Sequence, residues 1–227
     1  MQKNRETITS TFAEEKVSEK FNLASYFEAR DLAIQIVQES SKLIEVGMSE
    51  QDGLAIVEDK MSEYGVEKKW HPTKFRIGKN TLCSFRELSD DQVRVAEDDI
   101  FFFDIGPVFK GHEADYGETF SIGHNQEYNR LKTTVKHIFH DCNKAWKENG
   151  LNGKDLYAFA ELSANAKGCV LNMNMKGHRL GDFPHHLFHR GSLEEFEHRP
   201  IENLWVLEIL ISDKQGKYGA FFEDIIY

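Results

Sequence analysis

Two acidic residues follow strongly apolar or turn-forming segments in the middle of this sequence. Asp104 comes directly after the apolar residues 100–103, and Asp115 comes after a Lys110-Gly111 pair that suits a tight turn between two strands. A turn at that pair makes Asp104 and Asp115 diagonal neighbours on one face of a β-ladder. The two carboxylates are therefore expected to converge.

A second acidic pair near the end of the sequence has the same organisation. Glu208 follows the apolar residues 204–207, and a turn at Gln215-Gly216 places it directly across from Glu223 on an antiparallel strand. Carboxylates that face each other in half-buried strands are destabilising unless something neutralises their charge. Four such carboxylates and one imidazole, that of His178, match the ligands and the charge of two divalent cations that share a bridging water.

The order of these residues resembles the sequence pattern of the creatinase/methionine aminopeptidase superfamily, which includes prolidase and aminopeptidase P. The matching segments are Asp104-Ile105-Gly106, 115–120, 177–181, Glu208 and Glu223-Asp224, within a resemblance that covers roughly residues 24–227. The resemblance implies an α+β chain with the pita-bread fold, in which helices cover a curved antiparallel sheet built from pseudo-twofold halves. It also implies five metal ligands: Asp104, Asp115, His178, Glu208 and Glu223.

The resemblance further implies roles in catalysis. Glu208 is expected to take a proton from the attacking water and pass it to the leaving amine, with His178 beside it. His185 matches a histidine that stabilises the charge developing on the substrate carbonyl. Thr119 is expected to contact the substrate or to orient a ligand or the water. The alternative interpretation is that it is a β-branched residue that simply suits a strand. His186 has no counterpart, so a structural or surface role is favoured for it.

Several positions depart from the superfamily pattern. Phe85 stands where the peptidases usually have a loop histidine that contacts the substrate. His71 is a candidate to substitute for that histidine, and the alternative is an ordinary histidine at a strand end beside a proline. Both residues are predicted to border the substrate. Glu118 and Gly117 replace an arginine and a threonine that are common in the second-aspartate segment.

The resemblance implies a dinuclear metal-dependent hydrolase of the aminopeptidase or Xaa-Pro peptidase type. Such an enzyme cleaves an amide bond near the N-terminus of a small peptide with a metal-bridging hydroxide. The alternative is a small-molecule metalloenzyme on the same scaffold, acting as a C–N hydrolase, a lyase or an iron-based oxidase. A non-catalytic binding module is disfavoured by the complete ligand set. Oxygen and nitrogen ligands suit manganese, iron, cobalt or zinc, of which we favour manganese or iron.

Length and composition narrow the class of protein further. The chain has 227 residues with 40% hydrophobic content, which predicts a single domain over residues 21–227 behind a polar N-terminal arm of residues 1–20. A formal net charge of −10 argues against a nucleic-acid partner. The polar N-terminus and the lack of a long apolar run predict a cytoplasmic protein that does not bind a membrane. We expect a small peptide or amino-acid-like substrate, and homodimer formation is left open.

The elements that must position these side chains can be read from the periodicity. Apolar spacing predicts helices at about residues 23–47, 49–65, 126–147 and 154–168, and the segment Ser49-Glu50-Gln51-Asp52 resembles a capping box. Strands are predicted within residues 70–122 and again from near Val170. This order, two helices and strands followed by two helices and strands, suggests two related halves that each contribute one acidic hairpin.

Overall fold

A computed structural model describes residues 8–227 of the chain. The helices are α1 (Leu23–Ser41), α2 (Glu50–Glu63), α3 (Gln126–Asn149) and α4 (Gly153–Ala166), and 3₁₀ helices occur at Ala13–Glu15 and Gly78–Leu82. The strands are β1 (Lys68–Lys69), β2 (Lys74–Ile77), β3 (Asp99–Ile105), β4 (Pro107–Phe109), β5 (His112–Glu113), β6 (Tyr116–Ile122), β7 (Cys169–Leu171), β8 (His178–Arg179), β9 (Trp205–Asp213) and β10 (Gly219–Ile225). Among the helices of this described part, none has both the length and the apolar character that crossing a bilayer requires.

The main sheet is antiparallel and runs through both halves of the chain. Its strand order is β2-β3-β6-β10-β9-β7, with β8 paired to β9, and β1, β4 and β5 form a smaller sheet beside it. Helix α1 contacts β3 and β6 and α2 contacts β2, whereas α3 contacts β9 and β10 and α4 contacts β7. Each half therefore supplies two helices and a share of the sheet, which confirms the predicted α+β class.

Both predicted hairpin registers are confirmed. Lys110 and Gly111 adopt positive φ angles of 50° and 77° and connect β4 to β5. The same register continues into β3 and β6, where Asp104 lies opposite Gly117, so Asp115 is its diagonal neighbour. In the second hairpin Glu223 lies opposite Glu208. A two-residue turn joins the strands of the first hairpin and residues 214–218 join those of the second, and such short connections fix the pairing of the strands they join. This is why local sequence was sufficient.

Helix α1 ends earlier than the periodicity predicted. It stops at Ser41 instead of continuing to Gly47, and Leu43 and Val46 are 46% and 55% exposed. The backbone of this segment pairs elsewhere: the Gly47 N–H donates to the carbonyl of Val95 at 2.8 Å. A long-range backbone contact thus replaces the last predicted turns of the helix.

The N-terminal boundary of α2 agrees with its sequence signal. The Ser49 hydroxyl accepts a hydrogen bond from the Asp52 N–H, and the Asp52 carboxylate accepts one from the Ser49 N–H at 2.8 Å. This is the predicted capping box, which satisfies two backbone donors that the helix itself leaves free.

The described part of the N-terminal arm contacts the rest of the protein. The carboxylate of Glu15 is buried and accepts hydrogen bonds from the Ile201 N–H at 2.7 Å and from the Trp205 indole at 2.9 Å. Ser18 donates its N–H to Asp182 at 2.8 Å. The remainder of the predicted arm, residues 1–7, lies outside the described residues.

Candidate metal centre

One cavity of about 630 Å³ lies against the main sheet and brings the candidate residues together. Among the residues that line it are all five predicted ligands and three other predicted site residues: Asp104, Asp115, His178, Glu208, Glu223, His71, Phe85 and His185. The sequence order of these residues spans most of the chain, and the sheet topology is what collects them. Thr119 is the one predicted site residue that does not line this cavity.

Four neighbouring strands carry the carboxylates into the cavity. Asp104 is on β3, Asp115 precedes β6, Glu223 is on β10 and Glu208 is on β9, which is the spatial order of these strands in the sheet. Gly117 pairs with both Asp104 and Glu223 at the centre of this row. A Cβ atom at Gly117 would lie 2.7 Å from Glu223 Oε1, so the glycine provides the space that this carboxylate occupies.

Burial makes ionisation of these carboxyl groups costly. It raises the pKa of Asp104 to about 7, against the opposing effect of His71, and it also raises the pKa of Glu208. The pKa of Glu223 is raised well above its ordinary value by burial, and then by the neighbouring Asp115 and Asp104 carboxylates. Glu223 Oε1 is buried and has no hydrogen-bond partner among the residues that the structure describes. In their ionised forms these carboxyl groups would therefore carry more negative charge than the neighbouring histidines can neutralise.

His178 bonds one oxygen of Asp115. Its Nε2 atom lies 2.8 Å from Asp115 Oδ2, and its Nδ1 atom lies 3.0 Å from the carbonyl oxygen of Arg179. Burial alone would lower the pKa of His178, but the hydrogen bond and charge of Asp115 raise it to about 9. Conversely, burial would raise the pKa of Asp115, and its contacts with His178 and His71 lower it instead.

His71 lies at the other oxygen of Asp115. Its Nε2 atom is 3.2 Å from Asp115 Oδ1 and 3.5 Å from Asp104 Oδ1, and its side chain is 7% exposed. Burial would lower its pKa, but Asp104 and then Asp115 raise it to about 9. His71 is thus a residue of the cavity and not an ordinary histidine at a strand end.

His185 is held by a carboxyl group that was missed at the sequence level. Its Nδ1 atom lies 2.9 Å from Glu113 Oε2, and its ring stacks on Trp70 with centroids 3.8 Å apart. Burial, and then His178 and His186, lower the pKa of His185 to about 2, while burial raises that of Glu113 to about 8. The sequence shows Glu113 only as one more acidic residue before Asp115, and no local signal pairs it with a distant histidine.

Phe85 lines the cavity. Its ring meets the His71 ring edge-on with centroids 5.4 Å apart, and the Lys74 ammonium group lies 4.5 Å from its centroid. Its N–H lies 3.3 Å from the sulfur atom of Met175. These contacts hold an apolar ring, which can donate no hydrogen bond, beside the carboxylates.

Thr119 bonds the backbone of β10 and does not line the cavity. The Thr119 hydroxyl donates to the carbonyl of Phe221 at 2.8 Å and accepts from the N–H of Phe221 at 2.7 Å. The ladder between β6 and β10 covers only the pairs at Glu118 and Gly117, and the hydroxyl replaces the next backbone bonds. Thr119 therefore positions β10, which carries Glu223, and touches nothing in the cavity.

Two other departures from the superfamily pattern lie outside or at the edge of the cavity. Glu118 is buried and directed away from it, where it accepts a hydrogen bond from Tyr116 at 2.6 Å and pairs with Lys136. His186 is exposed and lines the cavity mouth. Its position agrees with the surface role that was favoured for it.

The donor set fits divalent cations. One ligand atom from each of His71, Asp104 and Asp115 lies within 4.8 Å of the others. Carboxylate and imidazole donors suit manganese, iron, cobalt and zinc. A cation among these groups would offset their negative charge and favour the ionised form of carboxyl groups whose pKa burial has raised.

A family model described as Metallopeptidase family M24 matches residues 24–227. The X-Pro aminopeptidase of Thermotoga maritima is 21% identical with a TM-score of 0.71, and the match covers 89% of this chain and 57% of that one. The prolidase of Pyrococcus horikoshii is 21% identical with a TM-score of 0.70 and coverage of 92% and 59%. A methionine aminopeptidase of Thermotoga maritima is 15% identical with a TM-score of 0.66 and coverage of 88% and 92%.

These similarities establish the fold of the chain as the pita-bread fold, in agreement with the expectation from the sequence. The chain spans only 57% and 59% of the X-Pro aminopeptidase and prolidase that it matches. No curated protein sequence matches it.

Proposed function

The chain belongs to metallopeptidase family M24, and on that premise we propose that it is a metal-dependent peptidase that hydrolyses an amide bond near the N-terminus of a small peptide. The observation that carries the proposal is the convergence of four carboxylates and His178 in one cavity. Glu208 and Glu223 face each other across the ladder, and the two histidines that contact Asp104 and Asp115 are too few to neutralise four ionised carboxylates.

Five residues would hold the metal: Asp104, Asp115, His178, Glu208 and Glu223. Five ligands exceed what one ion needs, so the proposal includes two divalent ions, with manganese or iron favoured. Such ions, when bound, lower the pKa of a water molecule and polarise the scissile carbonyl group.

Glu208 is the proposed general base. Its Oε2 atom accepts a hydrogen bond from the Gly177 N–H at 2.6 Å, which fixes the direction of the carboxylate in the cavity. Burial raises its pKa, which brings the basicity of the group closer to that required near neutral pH. Glu208 takes a proton from the attacking water and gives it to the leaving amine.

His185 is the proposed donor to the substrate carbonyl oxygen. Burial raises the pKa of Glu113 to about 8, so near neutral pH its protonated carboxyl group donates to Nδ1 of the neutral His185 ring and Nε2 carries the proton that the substrate can accept. Stacking on Trp70 fixes the plane of the ring. A fixed donor of this kind stabilises the charge that develops on the oxygen, and removing such a donor costs on the order of 10²-fold in rate.

The cavity supports a small substrate. Trp70, Phe85 and Met175 line it with apolar surface, and its volume of about 630 Å³ is suited to a short peptide. The cytoplasmic location, the lack of a nucleic-acid or membrane partner and the open question of a homodimer stay predictions from the sequence.

Phe85 favours a second candidate function. Because its ring replaces a polar contact with the peptide, a small-molecule metalloenzyme that acts as a C–N hydrolase, a lyase or an iron-based oxidase is the alternative on the same scaffold. This alternative needs the same metal ligands and differs in the substrate.

The test is a screen of dipeptides and tripeptides, with and without proline, against protein loaded with manganese, iron, cobalt or zinc. The proposal predicts release of the N-terminal residue with at least one metal, and loss of that release in the Glu208→Gln variant. If no peptide is cleaved by protein that retains bound metal, the peptidase proposal is wrong and the small-molecule alternative replaces it.

A further inference from the structure

The orientation of His71 repeats that of the expected ligand His178. In both residues Nδ1 lies 3.0 Å from a backbone carbonyl oxygen, that of Pro72 or of Arg179. In both residues Nε2 faces Asp115, at Oδ1 for His71 and at Oδ2 for His178. Metal-binding histidines commonly donate one ring N–H to a carbonyl or carboxylate, which leaves the other nitrogen for the ion. His71 has that arrangement.

The distances between donor atoms suit a shared ion. His71 Nε2 lies 3.2 Å from Asp115 Oδ1 and 3.5 Å from Asp104 Oδ1. Two donors that are each about 2.1 Å from one ion lie roughly 3.0–3.4 Å apart when the angle between them is between square and tetrahedral. One ligand atom from each of these three side chains lies within 4.8 Å of the others, so side-chain adjustment alone would bring them to one cation.

The loop that carries His71 is held in place over the carboxylates. The Trp70 indole donates to the carbonyl of Ala114 at 2.9 Å, and the Trp70 N–H donates to the carbonyl of Gly106, also at 2.9 Å. A Cβ atom at Gly106 would lie 2.1 Å from the His71 ring. The glycine that follows Asp104 therefore makes room for the imidazole.

We propose that His71 is a sixth protein ligand of the metal centre and binds the ion that Asp104 and Asp115 hold. His178 would serve the other ion, so that four carboxylates and two imidazoles surround the pair. The inference rests on metal binding within the proposed function and is independent of the substrate. It replaces the earlier expectation that His71 contacts the substrate.

The proposed donor set has a chemical consequence. Four carboxylates and two histidines are also the ligands of di-iron and di-manganese carboxylate proteins of another fold. An ion beside Asp104 would have an imidazole in place of a purely oxygen environment, and imidazole suits iron better than manganese, which prefers oxygen ligands. The sixth ligand would therefore favour iron at this position.

The first experiment measures metal binding without substrate. The full chain is stripped with a chelator and titrated with Mn²⁺ by calorimetry, as wild type and as the His71→Ala, His178→Ala and His186→Ala variants. His186 is the matched control, because it lines the same cavity and its Nδ1 atom lies 3.2 Å from the carbonyl oxygen of His189. We expect His71→Ala to lower the affinity for one of two ions by at least about tenfold and His178→Ala to lower the affinity for the other. His186→Ala should change neither affinity.

The second experiment identifies the nitrogen ligand directly. In a His178→Ala background loaded with one equivalent of Mn²⁺, pulsed electron paramagnetic resonance should detect nitrogen coupling from a bound imidazole. The coupling should disappear on adding His71→Ala or His71→Asn and persist on adding His186→Ala. Circular dichroism of each stripped variant verifies its fold, and His71→Asn serves if His71→Ala does not fold.

Unchanged binding of both ions by folded His71→Ala, or nitrogen coupling that survives the loss of both His178 and His71, would overturn the proposal. Failure of the peptidase screen has a different meaning. It would refute the proposed reaction and leave the ligand assignment intact, because neither of these measurements involves a substrate.

Discussion

Asp115 contacts the imidazole groups of both His71 and His178. Its two oxygens lie 3.2 Å from His71 Nε2 and 2.8 Å from His178 Nε2. Of the remaining carboxyl groups, Asp104 lies 3.5 Å from His71 Nε2, and burial raises the pKa of Asp104, Glu208 and Glu223. The distribution of charge at the residue scale is therefore the strongest physical indication of a cation.

Replacing Glu208 by glutamine should keep the fold and remove most of the peptidase activity. The amide preserves the shape of the side chain but cannot take a proton, and a general base contributes roughly 10²–10⁴-fold to rate. The measurement is kcat/KM at saturating metal, with the exposed Glu202→Gln as control. Turnover at the wild-type rate would mean that another residue moves the proton.

Replacing Phe85 by histidine should raise peptidase activity without changing the amount of bound metal. The imidazole restores a hydrogen bond to the peptide, and a polar group left without its partner costs about 1–3 kcal/mol, or on the order of tenfold in rate. Phe85→Leu is the control, since it removes the ring without adding a donor. If the histidine and leucine variants have equal activity, the missing hydrogen bond is not what limits peptide cleavage.

Glu113 should matter through its bond to His185. Glu113→Ala removes the partner of Nδ1, so kcat is expected to fall by about tenfold or more with a smaller change in KM. Glu113→Gln keeps a donor at this position and should recover part of the loss. Nitrogen NMR of the His185 ring should report a changed tautomer balance in the alanine variant only. An unchanged ring spectrum in Glu113→Ala would limit Glu113 to packing.

The strands that carry the carboxylates are held in place by different contacts in different parts of the sheet. The hairpin of β9 and β10 sets Glu208 opposite Glu223 through its own turn. The short ladder between β6 and β10 depends on the Thr119 hydroxyl and on the space at Gly117. The junction between the halves is thus built from side-chain contacts as well as from strand pairing.

The segment before α1 should contribute to stability through Glu15. Its carboxylate is the buried partner of the Ile201 N–H and of the Trp205 indole, so Glu15→Ala leaves both donors without it. We expect a loss of about 1–3 kcal/mol in the free energy of unfolding. Denaturant titration measures this loss, and Glu19→Ala, at an exposed position of the same segment, is the control. Equal stability of the two variants would mean that the anchor contributes nothing.

For the whole molecule, the stability of the metal-free protein should fall as pH rises. The pKa of Asp104 is raised from 3.8 to about 7 and that of Glu113 from 4.5 to about 8, both chiefly by burial. The stability that each group contributes is therefore fully present at a pH below its ordinary pKa and is lost as the pH rises through its raised pKa. The pKa values of His71 and His178 are raised from 6.5 to about 9 against the effect of burial, by Asp104 and Asp115 for His71 and by Asp115 for His178, and they act in the same direction.

The contribution of Asp115 to the pH dependence has the opposite sign, because its pKa is lowered and its stabilising effect is lost only as the pH falls. Metal ions bind the deprotonated ligands, so their stabilising effect should grow with pH. The measurement is the difference in Tm between chelator-treated and Mn²⁺-loaded protein at intervals from about pH 5 to 9. A difference that stays constant over this range would contradict the assignment of these groups as ligands.

The sequence by itself determined the parts of the site that local geometry controls. The turns at Lys110-Gly111 and Gln215-Gly216 set the register of both hairpins, and the alternation of side chains along a strand then fixes which carboxylates face each other. The capping box at Ser49 is local in the same sense. Each of these features involves residues that are close in sequence, so their geometry does not depend on the rest of the fold.

Only the tertiary structure decided which distant residues enter the cavity. His71 faces Asp104, Glu113 bonds His185, and Thr119 turns to the backbone of β10. Each of these contacts joins segments that are separate in sequence, and its occurrence depends on the packing of loops and strands that no local pattern encodes. A side chain with several possible partners takes the one that burial and space permit, and those are properties of the assembled sheet.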